Sequence, residues 1–238
     1  MIKPLKTLLT LSFIGISMFL SSCCETEDPG PLQGTEREFS ILDFDRLEIG
    51  DAFNIEVEQA STFSIKIEGD RRNIDDLAVY KSGSTLVIKY DDNSGHKHDT
   101  YITITMPTLK AVNFSDASVS TITGFESDEE LDLYLTGASI SQLVAGYREV
   151  NLVLSGASSL VMRGLGDELH AEVSGASSLN AFEFPVRQAE VNATGASQGK
   201  VTVTDDLDAV ASGASSILYR GNPSVSSSTS GDSSIQKD

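Results

Sequence analysis

Residues 131–158 read LDLYLTGASISQLVAGYREVNLVLSGAS, and this stretch decides the fold. Leu131, Leu133 and Leu135 alternate with Asp132 and Tyr134, and Val150, Leu152 and Leu154 alternate with Asn151 and Val153. Period two is the mark of a β-strand with one buried face. Each run ends in the same tetrapeptide, Thr136-Gly137-Ala138-Ser139 and then Ser155-Gly156-Ala157-Ser158.

Working outward, the tetrapeptide returns at Ser174-Gly175-Ala176-Ser177, Thr194-Gly195-Ala196-Ser197 and Ser212-Gly213-Ala214-Ser215. Degenerate copies flank the series at Ser115-Asp116-Ala117-Ser118 and Ser230-Gly231-Asp232-Ser233. Successive Gly positions, with Asp116 standing in for the first, are 21, 19, 19, 20, 18 and 18 residues apart. Alternating runs precede the later copies: Leu169, Ala171, Val173; Ala189, Val191, Ala193; Leu207, Ala209, Ala211. Shorter apolar segments follow at 160–162, 179–181 and 217–219. One such unit cannot bury its apolar face alone, whereas stacked units bury a continuous core. The expectation is an all-β, right-handed parallel β-helix-like solenoid with a less regular N-terminal β portion. Leu133, Leu152, Ala171, Val191 and Ala209 should stack in one interior column. Gly137, Gly156, Gly175, Gly195 and Gly213 read as structural corners, where glycine takes a positive φ and small neighbours let coils approach.

The remaining folded sequence is less periodic. Strands are expected at 46–49, 53–58, 63–68, 85–90 and 101–106, with a hairpin turn at Ser82-Gly83-Ser84 and a short helix at 71–77. Interior residues shrink toward the C-terminus, and residues 222–238 read as a thin terminal coil or cap, frayed at its end.

The first 22 residues read as a lipoprotein signal peptide. Lys3 and Lys6 precede a 13-residue apolar run, Leu8 to Leu20, which is too short to span a bilayer. Leu20-Ser21-Ser22-Cys23 resembles a lipobox, so Cys23 is the expected lipidation site. Residues 23–38 read as a flexible acidic tether, and 39–238 as one domain with an irregular part (39–107) and a repeat part (108–238).

The formal charge is −18, from 17 Lys+Arg against 35 Asp+Glu, which repels phosphate backbones and argues against nucleic acid as a partner. Two adjacent cysteines provide neither a disulfide framework nor a Cys-rich zinc site. No catalytic residue, metal ligand or cofactor is expected. Ser139, Ser158, Ser177, Ser197 and Ser215 would offer a hydroxyl ladder to sugars if they faced solvent, but turn chemistry is the preferred reading. His96 and His98, with Asp91, Asp92 and Asp99, would suit a transition metal; a solvated loop is preferred. Asp205, Asp206 and Asp208, and the run Asp128-Glu129-Glu130, are the best acidic clusters for sugar cleavage, and each is also explained as a solvated charge run.

Phe44-Asp45-Arg46-Leu47-Glu48-Ile49, Phe53-Asn54-Ile55-Glu56-Val57, Ile67-Glu68-Gly69-Asp70, Leu86-Val87-Ile88 and Tyr101 to Pro107, followed by the Ser-Gly-Ala-Ser corners, resemble the putative auto-transporter adhesin family with a head GIN domain, common in Bacteroidetes. Asp116 departs from the pattern where other corners carry Gly. The resemblance implies a β-helix-like fold on an envelope-anchored or secreted protein, an adhesin label, and no catalytic motif. The expected function is a lipid-anchored envelope binding module at the outer membrane, held to the membrane by its lipid and meeting an envelope or host glycan or protein. The alternatives are a polysaccharide-active β-helix enzyme and a structural envelope protein without a discrete ligand.

Overall fold

In the computed structural model, which describes residues 30–92, 96 and 98–238, the Gly-Ala-Ser corners at 137–139, 156–158, 175–177 and 195–197 each feed one long, bent strand. The less regular part comes first: β1 (Gly34–Phe39), β2 (Arg46–Ile49), β3 (Asn54–Gln59), β4 (Ser64–Asp70), α1 (Arg71–Asp75), β5 (Leu77–Ser82), β6 (Thr85–Tyr90), β7 (Tyr101–Met106) and β8 (Ala111–Phe114). The repeats follow as β9 (Val119–Leu135), β10 (Ile140–Leu154), β11 (Ser159–Val173), β12 (Ser178–Ala193) and β13 (Gln198–Gly213). Then come β14 (Ser216–Arg220), β15 (Ser224–Gly231) and β16 (Ser234–Lys237). The result is a parallel β-solenoid of about seven turns. Residues 31–238 form one unit.

Every long strand has two arms joined by a bend. In β10, Ser141, Leu143 and Ala145 point inward on the first arm, and Val150, Leu152 and Leu154 on the second. The first arms pair into one sheet, here face I, which β3, β7, β4 and β1 extend. The second arms pair into face II, which β8, β2, β6 and β5 extend. Both arms bury alternate residues in the same core, which is why the period-two pattern switches on twice per coil.

The expected interior column is present and longer than the repeat alone suggests. Leu86, Leu47, Val112, Leu133, Leu152, Ala171, Val191 and Ala209 are successive register partners on face II. The matching column on face I runs Ile102, Ile55, Ser120, Ser141, Leu160, Leu179, Gly199, Ile217. It contains a polar pair: the buried Ser120 hydroxyl donates to Ser141 Oγ at 2.8 Å. Each hydroxyl answers the other, so neither is stranded in the core.

The corners stack backbone on backbone. The Ala157, Ala176, Ala196 and Ala214 amides each donate at 2.8 Å to the Gly carbonyl one coil earlier. The glycines at 156, 175, 195 and 213 have φ between +72° and +81°. A Cβ on Gly156 or Gly175 would run into the carbonyl oxygen of Gly137 or Gly156, and one on Gly195 or Gly213 would lie 2.7 Å from that of Gly175 or Gly195. Gly137 is less confined, since its Cβ would meet the Asp116 amide nitrogen at 3.1 Å.

Asp116 is explained by a different corner. Asp116 and Ala117 both have positive φ (58° and 69°), as do Asp51 and Ala52 (60° and 57°), whereas the later corners place only Gly there. Aspartate tolerates the left-handed region better than most residues. Gly50-Asp51-Ala52 is therefore an earlier corner that lacks the Gly-Ala-Ser motif. The Ser115 amide donates to the Ile49 carbonyl at 3.2 Å and that of Val119 to Phe53 at 2.9 Å.

Three expectations change. Residues 34–38, read as the end of a tether, lie in β1, which pairs antiparallel with β4. The acids there are the outward half of an alternating strand, so charge alone misleads. The short helix ends at Asp75, and Leu77 already belongs to β5. The terminal segment is the thin last coil expected, but it is paired and not frayed, β15 on β13 and β16 on β14, because serine and threonine hold the ladder register without filling a core.

Gly175→Val should destabilise the protein by about 2–4 kcal/mol, since it opposes a positive φ and overpacks a corner. Ser177→Ala removes one hydrogen bond and should cost about 1 kcal/mol. Gly137→Ala should cost less than Gly175→Ala. Thermal denaturation of the four variants checks the order.

Candidate functional site

The corner serines lie under the surface. Ser139, Ser158, Ser177, Ser197 and Ser215 are only 1–2% exposed. Ser139 donates to the Thr136 carbonyl at 2.8 Å, Ser158 to Ser155 at 2.9 Å, and Ser215 to Ser212 at 2.9 Å. Ser197 donates to the Val173 carbonyl at 2.9 Å, and Ser177 Oγ accepts from the Ser158 amide at 3.2 Å. These hydroxyls close corners; they form no exposed ladder. The candidate binding surface on these five serines is thus corrected by their inward direction.

The two histidines of the 91–100 loop face different carboxylates. The His96 ring stacks on Tyr90, with centroids 3.3 Å apart, and its Nε2 lies 2.8 Å from Asp76 Oδ2. His98 has φ +94°, and its Nε2 lies 3.9 Å from Asp70 Oδ2. A positive φ at His98 breaks the strand geometry that would put both rings on one side. Beneath them, Asp70 caps α1, accepting from the Arg72 amide at 2.9 Å and from Arg72 Nε and Nη2 at 2.7 Å each. The Gln33 amide adds a bond at 2.9 Å. The Arg72 guanidinium, then the Gln33 amide, hold the fully buried Asp70 carboxyl far below the usual carboxylate range.

The acidic residues gather outside face II. Glu130, Glu149, Glu168, Gln188 and Asp206 are register partners in one outward row. Asp132, Asn151, His170, Glu190 and Asp208 form the next row. Parallel neighbours sit about 4.8 Å apart, so like charges face one another along the sheet. Partial desolvation, followed by the Asp132 and Glu149 carboxylates, pushes the Glu130 carboxyl above its ordinary range. Asn151 Nδ2 donates to both Glu130 and Asp132. Asp205 is drawn aside by Thr204 and Arg187, which lower its pKa.

Beside Glu130 is an open cleft of about 390 Å³ that brings Asp128, Glu129, Glu130 and Asp132 near Arg46, Lys110 and Arg148. Its cations are engaged: Lys110 with Glu129 at 2.8 Å, Arg148 with Glu149 at 3.1 Å, Arg46 with Asp132 at 3.8 Å. Face I is different. Tyr101, Val119 and Ile140 are exposed apolar residues within one outward row, with Thr103 and Thr121 in the next. Sequence reading picked out Asp128-Glu129-Glu130 and Asp205, Asp206 and Asp208 as separate charge runs but not their union with Glu149, Glu168 and Glu190 on one face, and it missed the face I row.

A family model described as "Putative auto-transporter adhesin, head GIN domain" matches residues 43–223. The chain belongs to this family. Solved structures share the fold. A putative adhesin from Bacteroides fragilis NCTC 9343 superposes with a TM-score of 0.72 at 20% identity, covering 86% of this chain and 97% of that one. A putative lipid binding protein from Parabacteroides distasonis ATCC 8503 gives 0.70 at 20% identity, covering 87% and 97%. A putative adhesin from the same organism gives 0.68 at 17% identity, covering 88% and 98%. No curated protein matches the chain. The head GIN family label suggests a cell-surface or envelope protein. No helix among the described residues is long and apolar enough to cross a membrane.

Because the folded-state pKa of Asp70 is depressed, its stabilising contribution is present above the unfolded carboxylate range and fades as pH falls below about 4. The wild-type melting temperature should therefore drop on acidification. Asp70→Asn should melt lower at neutral pH and show a flatter acid limb. Melting curves from neutral to acid pH check this.

Proposed function

We propose that this protein is a lipid-anchored envelope module that binds a partner across the outer faces of its solenoid and catalyses no reaction. The observation that carries this reading is the fate of the repeated residues. The corner glycines meet the next coil's backbone, and the corner serines are buried in hydrogen bonds. What remains for recognition is the outward side-chain pattern, which varies from coil to coil on a rigid frame. Face II offers fixed negative charge, and face I offers small polar and β-branched groups. Such a surface suits an extended glycan or protein better than a small enclosed ligand.

The address belongs to the same proposal. Cys23 lies outside the described residues, and its role rests on the lipobox and the apolar run before it. A diacylated cysteine would hold the module at the outer membrane, since more than one acyl chain is needed for stable attachment. Cys23→Ser should abolish palmitate incorporation; label retained through Cys24 would move the anchor by one residue.

A second reading, sugar cleavage, is favoured by the cleft at Glu130, where Asp128, Glu129, Glu130 and Asp132 gather beside Arg46, Lys110 and Arg148. The binding reading is preferred because the cations of that cleft are already paired with acids. A glycan array combined with a product assay on the full chain separates the two. Saturable binding without product is the expected result. Product formation would establish the enzyme, and neither binding nor product would leave a structural envelope protein.

A further inference from the structure

We propose that Glu149, Glu168 and His170 form a binding site for a divalent transition metal ion of the zinc class on face II. One potential ligand atom from each lies within 4.8 Å of the others, and they are the one such trio among the described residues. Glu149 and Glu168 are direct register partners on β10 and β11, and His170 stands two residues along from Glu168 on the same side of β11. Paired strands therefore fix all three anchor points before any ion arrives.

The contacts of the imidazole separate this trio from the purely acidic groups on the same face. His170 Nδ1 lies 3.5 Å from Glu190 Oε2, while Nε2 lies 4.0 Å from Glu168 Oε2. Metal-bound histidines commonly give their other ring N–H to a carboxylate, which fixes the tautomer and ring orientation. Glu190 sits where that second partner would, and Nε2 is left on the side of Glu168. The remaining acids of the rows, Glu130, Asp132, Asp206 and Asp208, have no imidazole among them. Nitrogen with carboxylate oxygen suits zinc and its neighbours, whereas oxygen alone suits calcium or magnesium.

Bonds of about 2.1 Å in a tetrahedral shell place donors about 3.4 Å apart, so no pair in the trio has to close by more than about 1.4 Å. Half-exposed side chains can supply this by rotation while the sheet stays still. Arg148 Nη2 lies 3.1 Å from Glu149 Oε2 and competes for one of the two carboxylate oxygens. Three protein ligands leave a fourth position for water or a donor from outside the chain. The proposal goes beyond the adhesive reading and does not depend on it.

Calorimetric titration of the full chain with zinc chloride at neutral pH tests the site. The expected result is one ion per chain in the micromolar range. His170→Ala and Glu168→Gln should each weaken binding by at least about tenfold. The His96→Ala/His98→Ala double variant should bind as wild type. Circular dichroism melts matching wild type exclude unfolding as the cause of any loss. Cobalt(II) gives a second readout, with a visible absorption band that disappears in His170→Ala. The site is overturned by no zinc uptake, by uptake unchanged in His170→Ala, or by uptake lost in the His96/His98 variant.

Discussion

The hydrogen bond from the Ala157, Ala176, Ala196 and Ala214 amides to the glycine carbonyl one coil earlier is the constraint on which the solenoid depends. It forces successive corners into register at sheet spacing and leaves no volume for a Cβ on the glycine between them. Once the corners are aligned, both arms of every coil are aligned too. Alternate residues then fall into interior columns that bury leucine on leucine near β9 and β10, and alanine on valine near β12 and β13. The hydrophobic contribution scales with apolar area removed from water, so it is concentrated in the earlier coils.

The same constraint explains where function can sit. Residues repeated with every coil are occupied by the fold, and those free to vary point outward. Two faces of different chemistry result from one register, an acidic and imidazole-bearing face II and a more neutral face I. The histidine loop lies apart from the repeat, held through Asp76 and Tyr90 and set above the Asp70–Arg72 pair that caps α1.

Much of the fold was legible because the repeat carries its meaning locally. A tetrapeptide at nearly fixed spacing after an alternating run specifies a corner and a buried strand, and the column Leu133, Leu152, Ala171, Val191, Ala209 followed directly. The corner at Asp51 was hidden because it uses two left-handed residues in place of one glycine. Ser120 and Ser141 were hidden because a polar residue at an interior position looks like an outward one until its partner is known. The strand at 34–39 was masked by its own charged face. The outer surfaces were illegible for a deeper reason. Glu149 and Glu168 are paired by the same register that stacks Leu152 on Ala171, but outward residues change from coil to coil, so no repeated motif marks them, or Val119 and Ile140, as a surface.

Native-state hydrogen exchange at the corners tests the central claim most directly. If coil-to-coil bonds hold the corners, the amides of Ala157, Ala176, Ala196 and Ala214 exchange as slowly as the flanking strand amides, and all four open together with the core. Rapid exchange at those four amides beside protected strands would contradict the account. It would show that the corners are ordinary exposed turns and that the sheets alone hold the solenoid together.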